Sequence, residues 1–173
     1  MVIKAKSLFR TMLILVLMAG LGTGIWLYLR PTDENLIRAR FGELEKLASK
    51  AAKEGALPAA GKAKEIARLF SEKSTFSVHG LDWMAGPFTR QALSGNIFRS
   101  RAMFSTLKLS LDDLEPEIDS EKGTAKVFLS ASLTGTLKDG RTVREIRELE
   151  STLSKTGEGW IFENFKIREI IKK

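Results

Sequence analysis

The sequence of 173 residues contains no cysteine and a single histidine, His79. The absence of cysteine excludes disulfides, thiolate nucleophiles and cysteine-ligated zinc. A single histidine excludes a histidine-rich metal site and any mechanism that needs two imidazoles. The sequence also lacks a glycine-rich phosphate-binding loop and a serine nucleophile motif. We therefore expect no cofactor, no metal and no evident catalytic activity.

The formal net charge of +7 is not concentrated in the way that nucleic-acid binding requires. Four basic residues, Lys4, Lys6, Arg10 and Arg30, lie in the first 30 positions, which contain no acid. In the rest of the chain acids and bases are interspersed, whereas a nucleic-acid-binding protein gathers lysine and arginine on one face. We predict no nucleic-acid partner.

One long apolar segment is present, Thr11–Leu29, which has nineteen residues and no formal charge. As a helix it would be about 28 Å long, close to the thickness of the hydrocarbon core of a bilayer. Trp26 and Tyr28 suit the membrane–water boundary. The alternative is a cleaved signal peptide, whose apolar part is normally shorter. We predict that residues 1–30 comprise a cytoplasmic N-terminus and a single transmembrane helix that contacts the lipid bilayer.

The basic residues before this segment also predict its orientation, because positive flanks stay in the cytoplasm. The expected location is the inner (cytoplasmic) membrane, with residues 31–173 in the periplasm or otherwise outside the cytoplasm. Gly20 and Gly24 form a GxxxG spacing, which is compatible with a homodimer through the membrane helices. Simple helix flexibility is the alternative interpretation of these glycines.

Residues 31–173 predict one α+β domain, because helical periodicity before Phe104 gives way to strand-like alternation after it. The elements predicted before Phe104 are a helix with the apolar stripe Ile37, Phe41, Leu44, Ala48 and Ala51, a helix over about 59–72, a strand over 75–79, a loop over 80–87 and a helix over about 89–104. Four long antiparallel strands follow, separated by turn signals at Glu121-Lys122-Gly123, Asp139-Gly140 and Gly157-Glu158-Gly159.

The turn at Asp139-Gly140 leads to a specific prediction about the sheet. A two-residue turn there would pair Ala131 with Glu148 and Leu129 with Glu150, and would place two carboxylates on the apolar face at a considerable desolvation cost. A β-bulge between Ile146 and Leu149 would return the acids to solvent and would bend the strand. We predict such a bulge; an unbroken ladder from Thr142 to Ser154 would contradict it.

Six acidic residues with no base between them lie within 112–121. Glu115, Glu117, Asp119 and Glu121 share one face of the predicted strand, so we interpret the run as a solvated sheet face. Attraction of a cation or of a basic partner is the alternative, although the run lacks the glycine and ligand order of a calcium loop. Pro116 has no backbone N–H and therefore predicts an edge strand or a bulge.

The order of these elements, ending in Gly159–Ile167 with the sequence GWIFENFKI, resembles the nuclear transport factor 2-like superfamily. The resemblance covers about Asp33 to Ile171. It implies three N-terminal helices packed on a curved, mainly antiparallel sheet, which together form a cone. The family includes isomerase-like and cyclase-like enzymes, transport and scaffold proteins, and membrane-anchored subunits of type IV secretion machines. The isomerase pattern needs a tyrosine in the cone, whereas the one tyrosine here is Tyr28, within the predicted membrane helix.

Two groups of candidate site residues follow. An acid–base pair of His79 and Asp82 at the mouth of the cone is the catalytic candidate, with a solvated histidine as the simpler interpretation. Apolar side chains could line a ligand pocket, although filling the core is the alternative. The ligand-binding candidates are Phe76, Trp83, Met84, Phe104 and Phe162, with Phe98, Met103 and Phe165 as further pocket-lining residues.

The sequence therefore favours a membrane-anchored envelope binding or scaffold domain that engages a protein partner, a second copy of itself or an apolar small ligand. The alternative is a small isomerase-like or cyclase-like enzyme that uses His79 and Asp82.

Overall fold

The computed structural model of the chain describes residues 31–78 and 86–170. The predicted membrane helix Thr11–Leu29 lies outside these ranges, as do the loop candidates His79, Asp82, Trp83 and Met84. Within the described ranges no helix is both long enough and apolar enough to cross a membrane.

Within residues 31–78 and 86–170, three helices precede the long strands, as the periodicity predicts. Helix α1 spans Asp33–Ala48, α2 spans Ala56–Arg68 and α3 spans Arg90–Ala102. The predicted apolar stripe of α1 is buried at Ile37, Phe41 and Leu44. At the start of α3 the hydroxyl of Thr89 accepts a hydrogen bond of 3.2 Å from the backbone N–H of Ala92, which caps the first turn. Helix α2 ends four residues earlier than predicted because a strand begins at Phe70.

Six strands in the described part of the chain form one mixed sheet behind the helices. They are β1 (Phe70–Val78), β2 (Gly86–Thr89), β3 (Phe104–Asp119), β4 (Thr124–Leu137), β5 (Thr142–Thr156) and β6 (Gly159–Ile170). The order across the sheet is β2-β1-β6-β5-β4-β3, and only the β1–β6 pair is parallel. The α+β class and the four-stranded meander β3–β6 are thus confirmed. Strand β2 was predicted as loop because it begins with Gly86-Pro87, which is tolerated on this edge of the sheet.

The predicted bulge in β5 is wrong. Strands β4 and β5 pair without interruption from Thr124↔Ser154 to Thr136↔Thr142. Their turn has three residues, 138–140, and ends at Gly140 with φ +89°, a positive φ that three-residue hairpin loops require. The longer turn shifts the register by one residue, so Leu129 faces Leu149 rather than Glu150. The acids therefore reach the opposite face of the sheet without a bulge in β5.

The sheet bends instead in the strands that flank this pair. The register of β5 with β6 shifts after Glu148 and again after Thr152, and each shift leaves an extra residue in β6. Strand β3 bulges against β4 between Asp112 and Glu115. Asp113 has φ 54° there, an unusual conformation for a residue other than glycine.

Helix α1 protects half of the exposed edge of β3. The backbone of Lys50 pairs with Leu107, the N–H of Leu109 donates to the hydroxyl of Ser49 at 3.4 Å, and the N–H of Leu111 donates to the carboxylate of Glu45 at 3.3 Å. The second half of the strand carries Pro116 and exposed acids. Covering, charge and proline all prevent unwanted strand pairing at an edge, which gives the acidic run a structural role.

Gly42 lies exposed in the middle of α1. A methyl group added there would meet no described atom within 4 Å, so close packing does not explain this glycine. We expect Gly42→Ala to raise the free energy of unfolding by about 1 kcal/mol, because alanine restricts the unfolded chain and favours the helix. Urea unfolding measures this change.

Gly135→Ala is the control for that experiment. A methyl group at Gly135 would lie 2.6 Å from the carbonyl oxygen of Thr106, and overpacking of this kind costs about 1–3 kcal/mol. Equal effects of the two alanines would contradict the packing described here.

Candidate ligand-binding site

The structure places Phe76 and Phe162 in one aromatic cluster between α1 and the sheet. The ring of Phe162 has no exposed surface, and its centroid lies 4.9 Å from that of Phe41 and 5.2 Å from that of Phe70. Phe76 stacks on Phe165 at 6.2 Å and contacts Phe70 at 5.5 Å. Phe162 and Phe165 therefore fill the core at this position, which was the alternative to a ligand role for both residues.

The other end of this cluster lies at the β1–β2 hairpin. The rings of Phe76 and Phe88, 5.8 Å apart, are only partly buried there. His79, Asp82, Trp83 and Met84 belong to the connection between these two strands, outside the described residues. The predicted acid–base pair of His79 and Asp82 at the mouth of the cone therefore stays a prediction.

Phe104 belongs to a different place, a cavity of about 390 Å³ where α2, α3 and the start of β3 meet. Phe98 lines the same cavity, whereas Met103, between these two rings in sequence, is 62% exposed and is not part of its wall. The volume falls within the range of small-molecule sites. The cavity is lined by Lys50, Ala52, Glu54, Ala56, Ala59, Phe98, Ala102, Phe104, Ser105 and Lys138.

A buried arginine beside the cavity caps the end of α1. Arg101, in the last turn of α3, is 3% exposed. Its guanidinium donates to the backbone carbonyls of Leu47, Ala48 and Ser49. The last carbonyls of a helix have no partner within the helix and carry partial negative charge. Arg101 therefore supplies both the missing donors and a compensating charge.

Lys50 makes the reciprocal contact at the end of α3. Its ammonium donates to the carbonyl of Arg101 at 3.1 Å and to that of Phe104 at 2.5 Å. Arg101, in the last turn of α3, thus caps the end of α1, and Lys50, just after α1, caps the end of α3. These contacts fix the position of Lys50 in the cavity wall.

Glu54 is the one acidic residue in the described wall of the cavity. It accepts from Arg101 at 2.6 Å and from Lys62 at 2.8 Å, and its side chain is 5% exposed. Burial opposes ionisation of this carboxyl, but the hydrogen bonds from Lys62 and Arg101 outweigh burial and hold the pKa of Glu54 below its ordinary value. Glu54 is therefore ionised at neutral pH and is fully used by these two cations.

Sequence reasoning identified the two phenylalanines of the cavity but not its charged residues. Glu54 and Arg101 are 47 positions apart, and no local pattern distinguishes them from the many exposed acids and bases. The one signal was the basic residue in the last turn of a predicted helix, where a cation is favoured by the helix dipole. That signal cannot reveal that the cation caps a second helix.

The sheet order, the three helices and the packed interior define a nuclear transport factor 2-like, or cystatin-like, fold. The Kfla4162 protein from Kribbella flavida matches with a TM-score of 0.67 and 15% identity, over 81% of this chain and 91% of that chain. A nuclear transport factor 2-like protein with a cystatin-like fold from Novosphingobium aromaticivorans matches with a TM-score of 0.59 and 17% identity, over 86% and 87% of the two chains.

A proposed scytalone dehydratase, also from Novosphingobium aromaticivorans, matches with a TM-score of 0.61 and 15% identity, over 85% of this chain and 86% of that chain. At such identities the likeness shows the fold alone, which hosts both enzymes and binding proteins. Comparisons with protein-family models and with curated proteins found no match.

Proposed function

We propose that the chain is a membrane-anchored binding domain without catalytic activity, and that a small apolar ligand occupies the cavity between α2, α3 and β3. The observation that supports this proposal is the cavity itself, about 390 Å³ in volume. Its wall combines two aromatic rings with four alanines and a few polar groups. Small-molecule sites commonly have this composition.

Two charged side chains of the wall are held in place by hydrogen bonds, which suits a binding role. Lys50 is held through its side chain by two carbonyls and through its backbone by Leu107. Glu54 is held by Arg101 and Lys62. Because these contacts occupy both side chains, neither Lys50 nor Glu54 is available for proton transfer.

Ala56 gives a direct test of the cavity, since it is exposed at the first position of α2 and lines the opening. We expect naphthalene-2-carboxamide, a neutral aromatic probe, to bind the full-length protein and to bind Ala56→Trp at least about tenfold more weakly, because the indole would fill the space. Saturation-transfer NMR on protein in nanodiscs, with empty nanodiscs as the blank, measures both affinities.

The matched control is Ala92→Trp, at an exposed alanine of α3 that does not line the cavity. Binding should be unchanged in this variant. Equal binding by Ala56→Trp and by the native protein would contradict the proposed site, and so would the absence of saturable binding by the native protein.

Anchoring by Thr11–Leu29 is the second part of the proposal. The charge-free length and the basic residues before it support a retained helix with the domain outside the cytoplasm. A reporter enzyme fused after Lys173 should be active if it requires export and inactive if it requires the cytoplasm. The opposite pattern would overturn the orientation, and release of the fusion into the soluble fraction would indicate a cleaved signal peptide.

The enzymatic alternative depends on His79 and Asp82. Their side chains lie outside the described residues, so no observed geometry favours a reaction. Substitution of either by alanine should leave binding of naphthalene-2-carboxamide unchanged if the proposed site is right.

A further inference from the structure

We infer that the ligand of this cavity is an amphipathic anion, a molecule with a compact apolar body and one carboxylate or sulfonate group. The inference rests on the proposed function, because it names the chemical class of the ligand in the same cavity. Two properties of the wall carry it: an excess of positive charge, and the aromatic and alanine side chains that make up most of the remaining lining.

The excess of positive charge follows from the ion pairs. Lys50, Lys62, Arg101 and Lys138 line or adjoin the cavity, and Glu54 is the one acid among the described lining residues. Glu54 is shared by Arg101 and Lys62. The nearest acid in sequence to Lys138 is Asp139, which pairs with Arg141 at 2.8 Å. No protein carboxylate within the described part of the chain therefore balances Lys50 or Lys138.

The two lysines contribute in different ways. The ammonium of Lys50 has three donors, of which one goes to the carbonyl of Arg101 in the last turn of α3 and one to the carbonyl of Phe104 at the start of β3. The ammonium of Lys138 makes no hydrogen bond or ion pair with any described residue, although its backbone N–H donates to the carbonyl of Met103 at 3.0 Å. Lys50 is thus held in the wall by its side chain, whereas Lys138 is held at the rim by its backbone and has a free ammonium among the described residues.

The start of α2 adds to the positive potential at this site. Gly55 provides no side-chain cap, and the first turn of α2 contains no acid. The first N–H groups of a helix carry partial positive charge. Pro58 has no N–H, so the N–H groups of Gly55, Ala56 and Leu57 make this contribution, and Glu54 just before them is already paired with Arg101 and Lys62.

The remaining wall determines the other half of the ligand. Phe98 and Phe104 provide aromatic surfaces, and the alanines provide small apolar ones. The volume is near the lower end of the range for small-molecule sites, which favours a compact ring or a short chain over a long acyl chain. An anionic group would add an ion pair with Lys50 and Lys138 that a neutral ligand cannot form.

The test compares naphthalene-2-carboxylate with naphthalene-2-carboxamide, which have the same ring and nearly the same shape but differ in charge. We expect the carboxylate to bind the full-length protein in nanodiscs at least about tenfold more tightly than the amide. In Lys138→Glu the carboxylate should lose most of this advantage, and the affinity of the amide should change by less than about twofold, since a rim charge acts mainly on a charged partner.

Lys64→Glu is the control, because Lys64 is an exposed lysine of α2 that does not line the cavity and its replacement changes the net charge equally. If Lys138→Glu does not fold, the same comparison is made with the native protein at increasing salt concentration. Salt should weaken the binding of the carboxylate and leave the binding of the amide unchanged. Equal affinities for the two probes, with amide binding still blocked in Ala56→Trp, would overturn the anionic ligand and leave the binding site standing. Failure of both probes to saturate would overturn both.

Discussion

Replacing Arg101 with methionine should lower the free energy of unfolding by about 3 kcal/mol, because the change removes one partner of a buried ion pair. Methionine retains apolar packing, but it leaves the carbonyls that end α1 without donors and leaves Glu54 with Lys62 alone. Urea unfolding at pH 7 measures the loss. Arg101→Lys keeps the charge but not the planar arrangement of donors. Its free energy of unfolding should therefore lie between those of the native protein and Arg101→Met.

The difference in unfolding free energy between the native protein and Arg101→Met should depend on pH if it comes from the ion pair with Glu54. The folded-state pKa of Glu54 lies below its ordinary value of 4.5, so its ionisation stabilises the native protein above that pH, and the contribution is lost as the pH falls through the folded-state pKa. The gap between native protein and Arg101→Met should therefore narrow in acid. In the double variant with Glu54→Gln, the two losses should be less than additive, because the pair acts as a unit. Strict additivity would contradict the ion pair.

Replacing Phe162 with alanine should cost about 3–5 kcal/mol, the usual loss for a fully buried phenylalanine. The ring is 0% exposed and contacts Phe41, Phe70 and Phe165 with centroids 4.9–5.2 Å apart. Aromatic pairs in such arrangements contribute beyond their buried area. Thermal unfolding followed by circular dichroism measures the loss.

Phe128→Ala is the control, because it makes the same substitution at a less buried position. Phe128 lies partly buried on the opposite face of the sheet beside Lys126 and Arg168. It should cost clearly less than Phe162→Ala. The affinity of Phe162→Ala for naphthalene-2-carboxamide, measured at a temperature at which the variant is folded, should stay within about twofold of the native value. The reason is that Phe162 does not line the cavity, so the substitution leaves the cavity wall unchanged. A large loss of binding would place the ligand in the aromatic cluster instead.

Much of the fold follows from local pattern. The burial of Ile37, Phe41 and Leu44 was predictable from helical spacing, and the meander from alternation and turn signals. The register of β4 with β5 was not, because it depends on one residue in the turn before Arg141, and periodicity is the same for either turn length. Local pattern therefore predicts which elements form better than how they align.

The site was less predictable for a related reason. Phe98, Phe104 and Phe162 are alike as residue types, and only tertiary packing puts the first two around a cavity and the third in the core. The pairing of Arg101 with Glu54 likewise arises from the meeting of α3 with the connection after α1. The two charges are buried because these two segments pack together, and tertiary packing of this kind leaves no periodic signal in the sequence.

The most direct test of the central claim uses the alanines of the cavity as reporters. Ala52, Ala56, Ala59 and Ala102 line its wall, whereas Ala125 is buried elsewhere in the core. We would label alanine methyl groups with ¹³C in the full-length protein and titrate naphthalene-2-carboxamide while recording methyl NMR spectra. The account predicts saturable shifts of the four cavity methyls and little change at Ala125. Saturable shifts that spare all four cavity methyls would contradict it.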